Sequence, residues 1–226
     1  MNLGFAFTYI FQDPDWLKKV GLAAVISLIP IVGFIILLGW GLEIIQRTLN
    51  NNPTPLPDWD DFGGHLQRGW KPLVVILAYS LPLFIMTICQ STLQLGVTLG
   101  AQNMDSATVG TTIMTVLICM SLLILFVSIA FGILTSVAIG NLAAKGELRD
   151  AFQFREIFRL FRAGMGPYII QFIVMGFASM VLGTVGMLFC FVGIFIVQAY
   201  LVTVFSNLTA QSYKIAKSVL APPSQI

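Results

Sequence analysis

Long apolar runs alternate along the chain with short stretches that mix aromatic, charged and apolar residues. The runs cover residues 17–45, 72–99, 110–140, 167–184 and 192–213; the mixed stretches cover 4–16, 56–71 and 147–165. About 20 apolar residues in helix cross a hydrocarbon layer of ~30 Å. The runs therefore predict membrane-embedded helices, and the mixed stretches predict amphipathic helices on the membrane surface. In 4–16, Phe5, Phe7, Tyr9 and Phe11 alternate with smaller residues, and Asp13-Pro14-Asp15-Trp16 reads as a cap, a first-turn proline and an interfacial ring. In 56–71, Asp58 is expected to cap a helix that puts Trp59, Phe62, Leu66 and Trp70 on one side. In 147–165, Phe154, Ile157, Phe158, Phe161 and Met165 keep the spacing of one helical face, opposite Arg155, Glu156, Arg159 and Arg162.

The run 17–45 has two readings, because Pro30-Ile-Val-Gly33 interrupts it. As one helix, its 29 or so residues would reach ~43 Å, long for a single span. As a hairpin it has two short arms. Charge favours the hairpin. All twelve Lys and Arg fall in four places: Lys18 and Lys19; Arg47, Arg68 and Lys71; 145–162; and Lys214 and Lys217. By the positive-inside rule these places share the cytoplasmic side, so each apolar block between them must leave and return. The expected architecture is all-α and polytopic, within a single transmembrane domain. Three hairpins, at 17–45, 72–140 and 167–213, give six membrane-embedded helices with the first pair short, and the tail 214–226 has no fold of its own. The second hairpin, turning at 101–108, is long enough to project beyond the outer headgroups.

Composition confirms the class: 57% hydrophobic and only 10% charged residues, where a soluble domain carries about a quarter charged. Weak internal similarities fit a surface helix plus hairpin used three times. Gly69-Trp-Lys-Pro72 matches Gly164-Met-Gly-Pro167, and the segment from Val32 to Trp40 resembles that from Val192 to Tyr200. Ser128, Gly132, Ser136 and Gly140 recur every fourth residue, a ladder that lets another helix backbone approach, either within the chain or from another subunit.

Chemistry-bearing patterns are sparse. His65 is the only imidazole, no nucleophile motif accompanies it, and it reads as a polar residue of the surface helix. Cys89, Cys119 and Cys190 read as small buried hydrophobes, so no metal site or cofactor is expected. Glu43 is the one charged residue within a span, with Arg47 at ion-pairing distance four residues on; the alternative role is a coupling carboxylate. Thr87, Gln90, Ser91, Gln94 and Thr98 could line a solute path, with Gln90 and Gln94 its transport candidates. The remaining candidates face lipid or a partner: Trp16, Trp59, Trp70, Phe154, Phe158, Phe161, Arg155, Arg159 and Arg162, with anionic headgroups the expected ligand and nucleic acid excluded.

Asp15-Trp16, Ile29-Pro30-Ile-Val-Gly33, Leu56-Pro-Asp-Trp-Asp-Asp-Phe62 and Gly146-Glu-Leu-Arg-Asp-Ala-Phe152 together resemble a prokaryotic membrane family. It is catalogued as a domain of unknown function, number four-thousand-and-thirteen. The resemblance runs over roughly 9–213 and implies a multi-pass protein of the bacterial or archaeal cytoplasmic membrane. It brings no activity, cofactor or catalytic residue with it. The expectation is a non-enzymatic scaffold or accessory subunit with both termini cytoplasmic, joined to other membrane subunits or to itself; the alternative is a small transporter or channel.

Overall fold

A computed structural model describes residues 1–100 and 107–221. Helices α1 (Leu3–Thr8), α2 (Trp16–Ser27), α3 (Val32–Leu49), α4 (Phe62–Gly100), α5 (Ala107–Lys145), α6 (Phe154–Ala163), α7 (Met165–Leu188) and α8 (Cys190–Leu220) follow in order, with 3₁₀ turns at Tyr9–Gln12 and Leu148–Phe152. Among the described residues α3, α4, α5, α7 and α8 are long and apolar enough to cross a membrane. The protein is an all-helical membrane protein. The expected turn at 101–108 falls largely outside the described residues, as does 222–226.

The chain forms two compact units, 1–76 with 133–226, and 77–132. In the first unit, α2 and α3 are an antiparallel pair. Leu28 and Ile29 close α2, and Ile31 then adopts φ 65° and ψ −64°, a strained γ-turn in which the Val32 N–H donates to Pro30 C=O at 2.7 Å. That reversal brings Gly33 against the carbonyl of Ile26, where a Cβ would lie 2.0 Å from the oxygen. With 12 residues, α2 is about 18 Å long and too short to span.

The α7–α8 turn repeats this device. Gly193 lies against the carbonyl of Gly186, again seven residues back. Seven residues further on, Trp40 and Tyr200 occupy matching positions; each donates to a backbone carbonyl, of Pro57 at 3.2 Å and of Phe7 at 2.8 Å. The similarity between the segments from Val32 and Val192 thus corresponds to a shared hairpin geometry.

At the centre, α8 touches α1, α2, α3, α6 and α7. Thr203, Ser206, Asn207, Thr209 and Ser212 are buried along it, small polar residues that allow close approach where lipid supplies no hydrophobic drive. Helix α3 crosses α4 at Gly39 and Gly69 with backbone almost touching backbone: a Cβ on either would sit 1.8 Å from a carbonyl oxygen of the other helix.

Several expectations change. The stretch 56–71 is not a separate helix, because α4 runs from Phe62 through Pro72 and Pro82 without a break. Asp61, not Asp58, caps it, accepting from Gly64 N–H at 2.8 Å. Residues 214–220 are helical, the end of α8. The segment 4–16 does not lie wholly on a surface: Ala6, Tyr9 and Ile10 are buried, and Tyr9 donates to Thr203 C=O at 3.0 Å. Cys89 and Cys119 are exposed on their helices rather than buried.

The second unit holds the facing parts of α4 and α5. Gln90 joins them by donating to Ser121 Oγ at 2.7 Å.

Candidate functional site

The loop 56–61 crosses the ends of α2, α3 and α4, and each of its first four residues is tied down. Leu56 is fully buried, and its carbonyl accepts from Lys19 Nζ at 3.0 Å and Arg47 Nη1 at 3.3 Å. The Pro57 carbonyl accepts from Trp40. Asp58 pairs with Lys19 at 3.0 Å, and its carbonyl contacts His65 Nε2 at 3.0 Å. Trp59 donates from Nε1 to the Lys19 carbonyl at 2.9 Å, and its ring stacks between Trp40 (5.2 Å) and Phe62 (5.8 Å), with His65 at its edge. Trp59 is therefore core, not an interfacial ring.

Two ion clusters flank this loop. Lys19 is 7% exposed and sits between Asp13 at 2.8 Å and Asp58. Burial pulls its pKa down, but hydrogen bonds and charge from the two aspartates outweigh that, so the ammonium ends above its ordinary value. The hydrogen bond from Lys19 holds Asp58 below the usual carboxylate range. On the other side, Glu43 faces Arg47 Nη2 at 3.0 Å through Oε1 and Arg68 Nη2 at 3.0 Å through Oε2. His65, 1% exposed rather than on a surface face, completes the group. Its Nε2–H donates to the Asp58 carbonyl, and its Nδ1 lies 3.4 Å from Arg68 Nη2 and 3.5 Å from Glu43 Oε2. Each buried charge thus has an opposite charge beside it, the condition for burying it at all. The arrangement fastens three helix ends together.

A second polar cluster joins α5, α7 and α8. Gln171 donates to Thr209 Oγ1 at 2.7 Å, and Tyr213 donates to Asn141 Oδ1 at 3.2 Å. Asn141 in turn holds the Asp150 carbonyl at 2.9 Å, which positions the turn before α6. Gly140 lies against the Tyr213 ring and Ser136 is buried, so this end of the small-residue ladder packs within the chain. Ser128 and Gly132 fall in the second unit, where Ser128 bonds to its own helix at Leu125 C=O. Tyr168 Oη, Gln171 Oε1 and Ser212 Oγ are buried without a hydrogen-bond partner among the described residues.

The other candidates separate by face. Trp70 is 58% exposed, and Trp16 is half-buried with its ring edge-on to Phe11. On α6, Ile157 and Leu160 turn inward, Phe161 is half-buried, and Phe154, Phe158, Arg155, Arg159 and Arg162 are on the outside. The inward face is thus centred on Ile157 and Leu160, and of the row that spacing alone picks out only Ile157 and, in part, Phe161 belong to it. In the second unit Gln90 is a helix-to-helix bond, Gln94 is exposed, and the hydroxyls of Thr87, Ser91 and Thr98 each bond back to their own helix. The Asp13–Lys19 pair and the buried polar side of α8 follow from none of the sequence patterns above. The density of Thr, Ser and Asn in 203–212 was the available signal for the latter.

Residues 22–191, more than half of the chain, match the model of a family described as protein of unknown function DUF4013. The chain belongs to this family. The match contains the whole loop 56–61 and the Glu43 cluster, but begins after Lys19 and ends as α8 begins. No curated protein and no solved structure matches the chain.

Proposed function

We infer that this protein is a non-enzymatic scaffold or accessory subunit of a larger complex in a prokaryotic cytoplasmic membrane, with its cationic end and both termini in the cytoplasm. The carrying observation is the ion pairing of Glu43, Arg47, Arg68, Lys19, Asp13 and Asp58 across helix ends, in which only Glu43 Oε2 and Arg68 Nε are buried without a hydrogen bond among the described residues. The back-bonded hydroxyls of α4 support the same reading. Native mass spectrometry of the chain gently extracted from its own membrane tests it. A second subunit, or a further copy, in fixed proportion is the expected result; a lone monomer overturns the reading.

A second reading, a small carrier, draws on the unpartnered oxygens of Tyr168, Gln171 and Ser212, since buried polar groups in a membrane core often mark a solute path. Reconstituted vesicles distinguish it. Flux that disappears in Gln171→Leu would establish it, and impermeability to a broad panel of ions and small solutes removes it.

A further inference from the structure

Helix α6 leaves three arginines outward and without carboxylate partners among the described residues. The nearest acid, Glu156, is engaged by Lys145 and lies 3.9 Å from Lys217. Arg155 and Arg159 are one turn apart and, with Leu220 of α8, line two adjoining grooves. The larger groove, about 990 Å³, adds Phe154, Glu156 and Lys217 to these shared residues. The smaller, about 450 Å³, adds Arg162, Phe158 and Val219. Across both, four cations oppose one carboxylate. Both are edged by exposed apolar groups: Phe154 at 66%, Phe158 at 49% and Val219 at 62%. Arg162 is itself held over the Phe158 ring at 4.8 Å, which orients its guanidinium beside an apolar wall.

We propose that this double groove binds an anionic phospholipid carrying two phosphodiesters in one headgroup, one phosphate in each groove, with Arg155 and Arg159 shared between them. A guanidinium fork matches phosphate oxygens in paired hydrogen bonds, which a lone ammonium cannot do. The apolar edges suit the start of acyl chains, and Gly164 joins α6 directly to the membrane-spanning α7. A singly charged lipid fills one groove only, and a zwitterionic lipid brings its own cation to a cationic site. The inference rests on α6 lying at the membrane surface and not on the subunit role, so a purification that yields a lone monomer would leave it standing.

The test is native mass spectrometry of the full chain in detergent, titrated separately with cardiolipin, phosphatidylglycerol and phosphatidylcholine. One cardiolipin per chain is expected at concentrations where the other two are barely retained. The double variant Arg155→Gln/Arg159→Gln, with both changes on an exposed face, should lower cardiolipin retention roughly thirty-fold, from ~1 kcal/mol per arginine. Arg149→Gln, an exposed arginine paired with Glu147 outside the grooves, should leave retention unchanged and serves as the control. Equal retention of cardiolipin and phosphatidylglycerol overturns the two-phosphate assignment. Undiminished cardiolipin binding in the double variant overturns the site.

Discussion

Trp59 and Trp70 are chemically the same residue in one stretch, and they end in opposite environments. Trp59 is 6% exposed and hydrogen-bonded to Lys19 C=O, while Trp70 is 58% exposed. Helical periodicity put them on one face, but Trp59 precedes the first turn of α4, so the 3.6-residue rule never applied to it. The Lys19–Asp58 pair was equally hidden, because it joins residues 39 apart in sequence through a loop. Its pH dependence follows from the two shifts. A carboxyl held below its ordinary 3.8 adds stability above that value, which is lost as pH falls through the depressed value. An ammonium raised above 10.5 adds stability below that pH, which is lost as pH rises through the raised value. Between about pH 4 and 10 both contributions are present. Asp58 is largely exposed, so the pair is worth at most ~1 kcal/mol. Asp58→Asn should therefore melt a few degrees below the parent protein at pH 7, about 1–3 °C. That gap should narrow in a detergent melting series as pH falls below 3.8 and through the depressed value.

At the scale of the element, the apolar runs were legible and their ends were not. Hydropathy located every long helix because lipid imposes one requirement on all of them. The break expected at Pro72 is missing because neighbouring helices in a membrane can compensate for the one hydrogen bond a proline removes, and α4 has α3 against it at Gly69. The ladder in α5 has a regular spacing, yet backbone meets backbone at Gly39 and Gly69, which no local repeat announces. Adding a methyl at either forces two backbones apart. Gly39→Ala and Gly69→Ala should each cost at least ~2 kcal/mol. Gly176→Ala, with open space around its Cβ, should be neutral or favourable by up to ~1 kcal/mol. Thermal stability of the three variants in one detergent decides this; a well-folded Gly39→Ala would mean that the crossing is looser than the structure has it.

For the whole molecule, side-chain bonds gather the cationic places of the sequence. Lys71 reaches Gly146 C=O at 2.7 Å, Lys214 reaches Thr48 C=O at 2.6 Å, Lys145 bonds Glu156, and Lys19 and Arg47 share Leu56 C=O. The beginnings of α2 and α4 and the ends of α3, α5 and α8 thus meet at one end of the first unit. In a chain whose native cysteines are replaced, Asn50→Cys and Ser218→Cys should both react with an impermeant maleimide in inverted membrane vesicles and not in intact cells. Labelling of either from outside would overturn a shared cytoplasmic face.

The sequence alone determined that the protein lives in lipid, that its apolar runs are helices, and that its cationic places belong together. Each of these follows from a force acting on every residue alike: the cost of unpaired backbone and of charge in hydrocarbon. Only the tertiary structure decided which polar residues would be buried, because that depends on which neighbour a side chain meets. Asp13 meets Lys19, Glu43 meets Arg68, and Gln171 meets Thr209 across separations that no local period encodes. The loop 56–61 shows both levels. Its residues stand out in the chain as a string, but what they do, tying the ends of three helices, exists only once those ends are side by side.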